Sequence, residues 1–178
     1  MAKPTFATLG PEGSNHDLIL QDYIDREKMP ADRLLFEDFN NVLKACETGA
    51  ANHVLICAVH NSCSKVVARA QYQLDMKITD VFVSESQLLA VLHRTANPRS
   101  LALHTATREY TNISSYENVI EVSSTVEAAE GLRAGKWDAA LTAARFQSGE
   151  LTKVLDIPPP RDAWLILGGK DKCPIWTL

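Results

Sequence analysis

The chain has 178 residues, 46 % of them hydrophobic, and a net charge of −4 at pH 7. This length predicts one domain or two small lobes, with enough apolar residues for a real core. The negative charge argues against nucleic acid or an anionic membrane as the main partner, because both attract basic proteins. No apolar run approaches the ~20 residues of a spanning helix, and Met1–Pro4 lacks the apolar core of a signal peptide. We therefore expect a cytoplasmic protein.

The chain opens with a short apolar strand that leads into a glycine-rich loop. Thr5–Leu9 is typical of a strand, Gly10–Ser14 has the sequence GPEGS, and Asp17–Ile24 is able to form a helix. A loop of this kind presents backbone N–H groups at a helix N-terminus, where anions bind. The segment therefore predicts an anion site.

Helix and strand signals then alternate. Apolar residues within Phe39–Cys46 recur at helical spacing, with Asp38 as N-cap and Gly49 as the stop. Val54–Val59 is an apolar run of strand length, as expected for a strand that is covered on both faces.

The second half repeats this alternation. Ser124 and Glu127 form a capping box at the start of a helix, and Gly135 ends that helix. The other predicted strands are Val81–Val83, Leu88–Leu92, Leu101–Leu103, Val119–Val122, Asp138–Thr142 and Trp164–Leu167. The pattern indicates an α/β protein with parallel strands, whose ligands bind at the carboxyl ends of the strands.

Three strand ends deliver small polar residues into a helix start, and together they predict one cleft for a small carboxylate. These pairs are Gly13-Ser14, His104-Thr105 and Ser124-Thr125. Each Ser or Thr has an alternative interpretation as an ordinary N-cap. His16 follows the first pair and is a further candidate for contact with an anion.

The cysteines and short motifs predict neither a metal site nor a cofactor. Cys46, Cys57, Cys63 and Cys173 form no C-x-x-C pair and have no zinc-type spacing to histidine, so free thiols are expected. Cys63 lies three positions from His60, which makes it a candidate nucleophile with a nearby base. No nicotinamide motif or P-loop is present, and we expect no cofactor.

Four segments, taken in order, resemble the prephenate dehydratase family. LGPEGS at 9–14 resembles the family's L-G-P-x-G-T, AVHNS at 58–62 its P-I-E-N-S, and LHT at 103–105 its S-H-P. STVEAA at 124–129, followed by DAAL at 138–141, resembles the pair S-T-A-x-A-A and A-A-I.

The resemblance implies an α/β fold with two lobes, like that of the type II periplasmic binding proteins, and a ligand cleft between them. Residues 1–86 with 161–178 would form one lobe, and residues 87–160 the other. It also implies a homodimer. Because the chain ends at Leu178, we expect no regulatory ACT domain and no feedback control by phenylalanine.

The chain departs from the family at the T-R-F triplet and at one further position. Asp162, Ala163 and Trp164 take the places of Thr, Arg and Phe, and His60 takes the place of a Glu. Arg161 is the candidate replacement for the missing arginine. These features resemble the prephenate-dehydratase-like proteins of secondary metabolism, such as the prephenate decarboxylase of bacilysin biosynthesis and the dehydratase-like protein of tropodithietic acid biosynthesis.

The resemblance gives roles to particular residues. His60 is the predicted proton donor, His104 a neutral hydrogen-bonding group, and Asp162 the third catalytic candidate. The predicted substrate-binding residues are Ser14, Asn61, Ser62, Thr105, Ser124, Thr125, Arg161 and Trp164. Each histidine has a structural alternative, and Trp164 has one as a core residue; Trp137 and Trp176 are interpreted as structural.

Three functions remain open at this point. The first is a lyase that decarboxylates prephenate or a related non-aromatic cyclic carboxylate in specialised, antibiotic-type biosynthesis. The second is a dehydration or elimination on a ring carboxylate or thioester in tropone biosynthesis. The third is a small-anion binding protein without catalysis.

Overall fold

The structure, a computed structural model, describes residues 3–169. Cys173 and Trp176 therefore lie outside the described residues. Contacts divide the described chain into two compact units, the first formed by residues 3–84 and 161–169 and the second by residues 85–160.

Each unit is built on a five-stranded sheet. The elements in chain order are β1 (Thr5–Leu9), α1 (Asn15–Arg26), β2 (Asp32–Phe36), α2 (Phe39–Glu47), β3 (His53–Cys57), α3 (Cys63–Gln73), β4 (Met76–Glu85), β5 (Leu89–His93), β6 (Ser100–His104), β7 (Asn118–Val122), α4 (Thr125–Arg133), β8 (Ala139–Ala143), β9 (Thr152–Ile157) and β10 (Arg161–Gly169). Short 3-10 helices follow β6, at Thr105–Tyr110, and β8, at Ala144–Phe146.

The two sheets share one arrangement of strands. The first has the order β2-β1-β3-β10-β4 and the second the order β7-β6-β8-β5-β9. In the first, β1 is parallel to β2 and β3, and β10 is antiparallel to β3. In the second, β6 is parallel to β7 and β8, and β5 is antiparallel to β8 and β9.

The prediction of parallel strands is therefore wrong for part of each sheet. A parallel neighbour requires a crossover connection of a dozen or more residues, usually a helix. The chain instead passes from one sheet to the other, from β4 to β5 and from β9 to β10, through links of about three residues, so β5 and β10 enter their sheets without a preceding helix. β10 runs antiparallel to β3, and β5 runs antiparallel to β8 and β9.

The predicted start and end of α2 and the predicted end of α4 are confirmed, whereas α1 extends two residues beyond its predicted bounds at each end. Asp38 accepts hydrogen bonds from the backbone N–H groups of Asn40 and Asn41 at 2.7 and 2.9 Å, which starts α2. Gly49 and Gly135 have φ of +77° and +71°, the left-handed conformation that ends a helix. In both units, the apolar faces of the helices then lie against the sheet.

Burial is greatest in the central strands. All five residues of β3, and all five of β8, are buried, as expected for strands covered on both faces. Each sheet has two apolar clusters of buried residues. No helix within residues 3–169 is long and apolar enough to cross a membrane.

Gly131 of α4 packs closely against the buried ring of Trp137. A Cβ atom at this position would lie 1.9 Å from Cζ2 of Trp137, whose Nε1 donates to the carbonyl of Ala128 at 2.8 Å. We expect Gly131→Ala to lower the free energy of unfolding by at least about 2 kcal/mol, because the core must be overpacked. In an open helix the same change would raise it by about 1 kcal/mol.

Urea unfolding measures this difference. Gly169→Ala is the matched control, because nothing lies within 4 Å of a Cβ there. A Gly131→Ala protein as stable as the control would contradict the packing described.

Candidate functional site

In the first unit, the predicted site residues lie where β1 and β3 end and where β10 begins. Trp164 pairs with Cys57, the last residue of β3, and the N–H of Ala58 donates to the carbonyl of Ala163 at 2.8 Å. The register therefore places the first residues of β10 beside the turn that carries His60. Asp162 lies near enough to the Cys57 thiol for its charge to contribute to the raised pKa of that thiol.

Four rings meet at this edge, and we call them the ring cluster: His16, Phe39, His60 and Trp164. The centroid of His16 lies 5.0 Å from that of Trp164, 5.7 Å from His60 and 5.8 Å from Phe39, each in edge-to-face geometry. Phe39 and His60 are 5.0 Å apart. Trp164 is fully buried in the core, and the two histidines are half-buried. Trp164 thus supports the ring of the half-buried His16 from the core.

The His60 ring is oriented by the start of α3. Its Nδ1 accepts a hydrogen bond from the N–H of Ser62 at 3.1 Å, and the N–H of Cys63 donates to the His60 carbonyl at 2.8 Å. Ser62, the N-cap residue, makes no side-chain capping bond, and Asn61 is exposed. Because Nδ1 is an acceptor, the proton of the neutral ring lies on Nε2.

The predicted anion loop already holds a carboxylate of the chain itself. The N–H of Gly13 donates to Oδ2 of Asp17 at 2.8 Å, and Arg33 forms an ion pair with Asp17. The Ser14 hydroxyl accepts from the N–H of Asp17 at 3.3 Å and donates to the carbonyl of Leu9 at 3.1 Å. Part of the loop's donor set is therefore occupied.

Asp17→Ala tests how strongly this internal carboxylate holds the loop. Asp17 is only 2 % exposed, so the change leaves Arg33 and the Gly13 N–H without their partner. We expect a loss of about 3 kcal/mol in the free energy of unfolding, measured with urea. Asp17→Asn keeps an oxygen for the Gly13 N–H, so its free energy of unfolding should lie between those of the wild type and Asp17→Ala. Unchanged stability in Asp17→Ala would contradict this arrangement.

In the second unit, the predicted site residues lie at the carboxyl ends of β6 and β7, which are parallel neighbours with His104 opposite Val122. The Thr105 hydroxyl donates to Glu121 at 3.0 Å. Ser124 accepts from the N–H of Glu127 at 3.0 Å and so caps α4. The Thr125 carbonyl accepts from the hydroxyl of Thr142.

His104 resembles His60 in its local geometry. Its Nδ1 accepts from the N–H of Ala106 at 3.2 Å at the start of the 3-10 helix. Burial lowers the pKa of His104, and the nearby charge of Glu121 opposes that shift in part. Burial is therefore the largest cause of the lowered pKa. A neutral ring with its proton on Nε2 follows from both observations.

A cation that the sequence analysis did not single out lies on this edge of the second unit. The guanidinium of Arg108 is 3.4 Å from Glu121, the carboxylate that Thr105 also contacts. The available signal was its position three residues after Thr105, on the segment that follows β6. Arg161, the predicted cation, is exposed, and no carboxylate among residues 3–169 forms an ion pair with it.

The cysteines of the described chain are free thiols, as expected for Cys46, Cys57 and Cys63. Burial raises the pKa of Cys46 and of Cys57 to about 11, and it also raises the pKa of Cys63. Because the thiolate is the nucleophile, this shift disfavours a nucleophilic role for Cys63. Residues 3–169 contain no group of three or more His, Cys, Asp or Glu side chains that could hold a metal ion.

The lowered pKa of His104 predicts a pH dependence of stability. The unfolded chain takes up a proton near the ordinary value of 6.5, whereas the folded chain does so only at lower pH. Between these values the unfolded state binds more protons, so the free energy of unfolding falls as the pH falls through this window.

In His104→Asn the amide oxygen still caps the Ala106 N–H but does not titrate. We expect a smaller loss of stability on acidification below pH 6.5 than in the wild type, measured by urea unfolding at each pH. His93, whose pKa is also lowered by burial, is present in both proteins and cancels in the comparison. Equal losses in the two proteins would contradict the assignment.

No family model and no curated protein matches the sequence. Several solved structures have a similar fold. The match to the prephenate dehydratase of Arthrobacter aurescens, in complex with L-Phe, has a TM-score of 0.69 and 16 % sequence identity, and it covers 96 % of this chain and 62 % of that protein. The match to the Staphylococcus aureus prephenate dehydratase has a TM-score of 0.64 and 16 % identity, and it covers 94 % of this chain and 67 % of that protein. The match to a periplasmic His/Glu/Gln/Arg/opine family-binding protein from Silicibacter pomeroyi, in complex with lysine, has a TM-score of 0.53 and 13 % identity, and it covers 94 % of this chain and 83 % of that protein.

These likenesses show the fold. The two-lobed α/β architecture shared by prephenate dehydratases and periplasmic binding proteins is confirmed. The chain spans 62 % of the length of the first of these dehydratases. The position of a ligand cleft, the site residues and the reaction stay predictions.

Proposed function

We propose that the chain is a prephenate-dehydratase-like lyase that decarboxylates prephenate, or a related non-aromatic cyclic carboxylate, in specialised biosynthesis. The observation that carries this proposal is the composition of the edge at the start of β10. There Ala163 lies beside the turn that carries His60. By the family resemblance, Asp162 takes the place of a hydroxyl and Ala163 the place of a guanidinium. Ala163 can neither donate a proton nor hold a carboxylate, and Asp162 replaces the family's hydroxyl with a carboxyl group.

Loss of carbon dioxide from a cyclohexadienyl carboxylate has two outcomes. The bond from the ring carbon to the carboxylate breaks, carbon dioxide leaves, and the electron pair moves into the ring. If the ring hydroxyl is then expelled with a proton, the ring becomes aromatic. If a ring carbon takes up the proton instead, the hydroxyl is retained and a diene survives. The second outcome requires a proton donor over the ring and none at the hydroxyl.

His60 is suited to the second outcome. The ring is held by the Ser62 N–H on one side and by edge contacts with Phe39 and His16 on the other. In the proposed step, the Nε2 proton of His60 goes to a carbon of the substrate ring, and a proton from water replaces it on the imidazole. A positioned acid of this kind contributes about 10²–10⁴-fold to the rate.

Substrate carboxylates require charged donors. Arg161 is the predicted cation in the first unit, and Arg108, which is paired with Glu121, is the cation at the edge of the second unit that carries His104. His104, held neutral, can donate from Nε2 to a carboxylate or carbonyl oxygen. Ser14 and Ser124 contribute chiefly by capping α1 and α4, which fixes the backbone of both loops.

A binding protein without turnover is the second candidate. It is favoured by the similarity in fold to the lysine-bound periplasmic protein and by the loss of the triplet. Dehydration or elimination on a ring carboxylate or thioester is the third.

The decisive experiment incubates the full chain with prephenate and follows carbon dioxide release, ultraviolet absorbance and the product. Dihydro-4-hydroxyphenylpyruvate would support the decarboxylase, and phenylpyruvate would overturn it in favour of a dehydratase. A thermal shift without turnover would overturn it in favour of a binding protein.

His60→Asn then tests the proton donor. The Asn oxygen can still accept the Ser62 N–H, because Asn forms this turn readily, but the Nε2 proton is lost. We expect kcat to fall by about 100-fold or more with an unchanged unfolding midpoint. Wild-type turnover in His60→Asn would contradict the assignment, and a lowered midpoint would indicate that the variant had lost its cap.

A further inference from the structure

A separate pocket lies within the second unit, at the amino ends of β6 and β7. It has a volume of about 410 Å³, which is within the range of small-molecule sites. His104, Thr105 and Ser124 lie at the other, carboxyl ends of these strands. The pocket is therefore not part of the edge assigned to the reaction, and nothing in the proposed function uses it.

One hydrogen-bonded network at the surface holds the wall of this pocket. Oδ2 of Asp138 accepts from the N–H of Arg99 at 3.0 Å and from the N–H and hydroxyl of Ser100 at 3.1 and 3.0 Å. These bonds lower the pKa of Asp138, so it is a carboxylate at neutral pH. The N–H of Asn118 donates to the Arg99 carbonyl at 3.1 Å, which joins the segments before β6 and β7. The wall is thus fixed before any ligand binds.

The pocket also contains a hydrogen-bonded pair of rings. Nε2 of His93 and the hydroxyl of Tyr116 are 2.8 Å apart, and the rings meet edge to face at 6.0 Å. Burial lowers the pKa of His93 and raises that of Tyr116, so both side chains are neutral at pH 7. In either tautomer of His93, the Tyr116 oxygen keeps a lone pair for a ligand donor.

An ion pair with unused hydrogen-bonding capacity lies beside these rings. Nε and Nη2 of Arg99 both donate to a single oxygen of Glu117, Oε2, at 2.8 and 2.5 Å. Neither Nη1 of Arg99 nor Oε1 of Glu117 is hydrogen-bonded to any of residues 3–169. The pocket therefore presents a donor for an anion and an acceptor for a cation side by side, with Asn97 and Ser115 as neutral partners.

We propose that this pocket is a second ligand site, which takes a free amino-acid zwitterion. The ligand carboxylate binds Nη1 of Arg99, and the ligand ammonium binds Oε1 of Glu117 and the Tyr116 oxygen. Two adjacent charges of opposite sign match such a ligand better than a simple acid or a simple amine. Because the site shares β6 and β7 with the candidate active-site edge, it is placed to influence that edge.

Isothermal titration of the full chain with each standard amino acid in turn tests the proposal. We expect saturable one-to-one binding of at least one amino acid, weakened about tenfold or more when its amine is acetylated or its carboxylate amidated. Absence of saturable binding by every amino acid would overturn the proposal. Equal binding of the blocked derivatives would also overturn it.

Variants locate the site. Arg99→Gln and Glu117→Gln should each weaken binding about tenfold, because each removes one charge-assisted bond. The matched control is Arg26→Gln, which removes an exposed arginine paired with a neighbouring glutamate in the first unit. Tyr116→Phe removes only the hydroxyl and serves if a charge variant fails to fold. Wild-type affinity in the folded Arg99, Glu117 and Tyr116 variants would overturn the proposal, whatever prephenate turnover shows.

Discussion

The antiparallel pairing of β10 with β3 is the constraint on which the candidate site in the first unit depends. β3 is buried along its whole length, and Trp164 and Ile166 of β10 fill the core on the α1 side. A shift of one residue would turn both side chains to the other face of the sheet, so the register is strongly specified. Ala163 then lies beside Ala58, and the proposed change of chemistry rests on that position.

Both candidate histidines follow from the same local device. His104 ends β6 and His60 lies three residues beyond β3, and each accepts at its Nδ1 the N–H two residues ahead, close to the start of a helix. This places the proton of the neutral ring on Nε2 in both His60 and His104 without help from a carboxylate. A structural cap and a chemical role are therefore compatible in one side chain, because the two nitrogens serve different purposes.

The sequence predicted best those elements whose signals are local. Asp38, Gly49 and Gly135 act through their own caps or φ angles, and the apolar run in β3 reports burial on both faces. β9 and α3 were missed because their apolar patterns are weak. Five of six residues of β9 are exposed, and only Val66 and Ala70 of α3 are buried.

The candidate site was predictable only in part, for a related reason. The family resemblance pointed to the strand ends, but the competition between a ligand and the chain's own groups depends on tertiary contacts. Asp17 is only four residues from Gly13, but its carboxylate is held at the Gly13 N–H by burial and by an ion pair with Arg33 of β2, which is a tertiary contact. The position of Arg108 at this edge could not be predicted, because it depends on the pairing of β7 with β6, which brings Glu121 next to it.

Because the serine and threonine hydroxyls at the strand ends are bonded within the chain, recognition of a carboxylate depends on other groups. The hydroxyls of Ser14, Thr105 and Ser124 are all hydrogen-bonded within the chain. Exchanging such a bond for one to a ligand adds little to the free energy of binding. Charged donors gain more, because their bonds to a carboxylate are roughly twice as strong as neutral ones. In each unit the charged candidate, Arg161 in the first and Arg108 in the second, is therefore the stronger donor for a carboxylate, and the serines and threonines set the loop geometry. Under the proposed function, a carboxylate held by Arg161, two residues before Ala163, would lie at a different depth along β10 from one held at the position of the family's arginine.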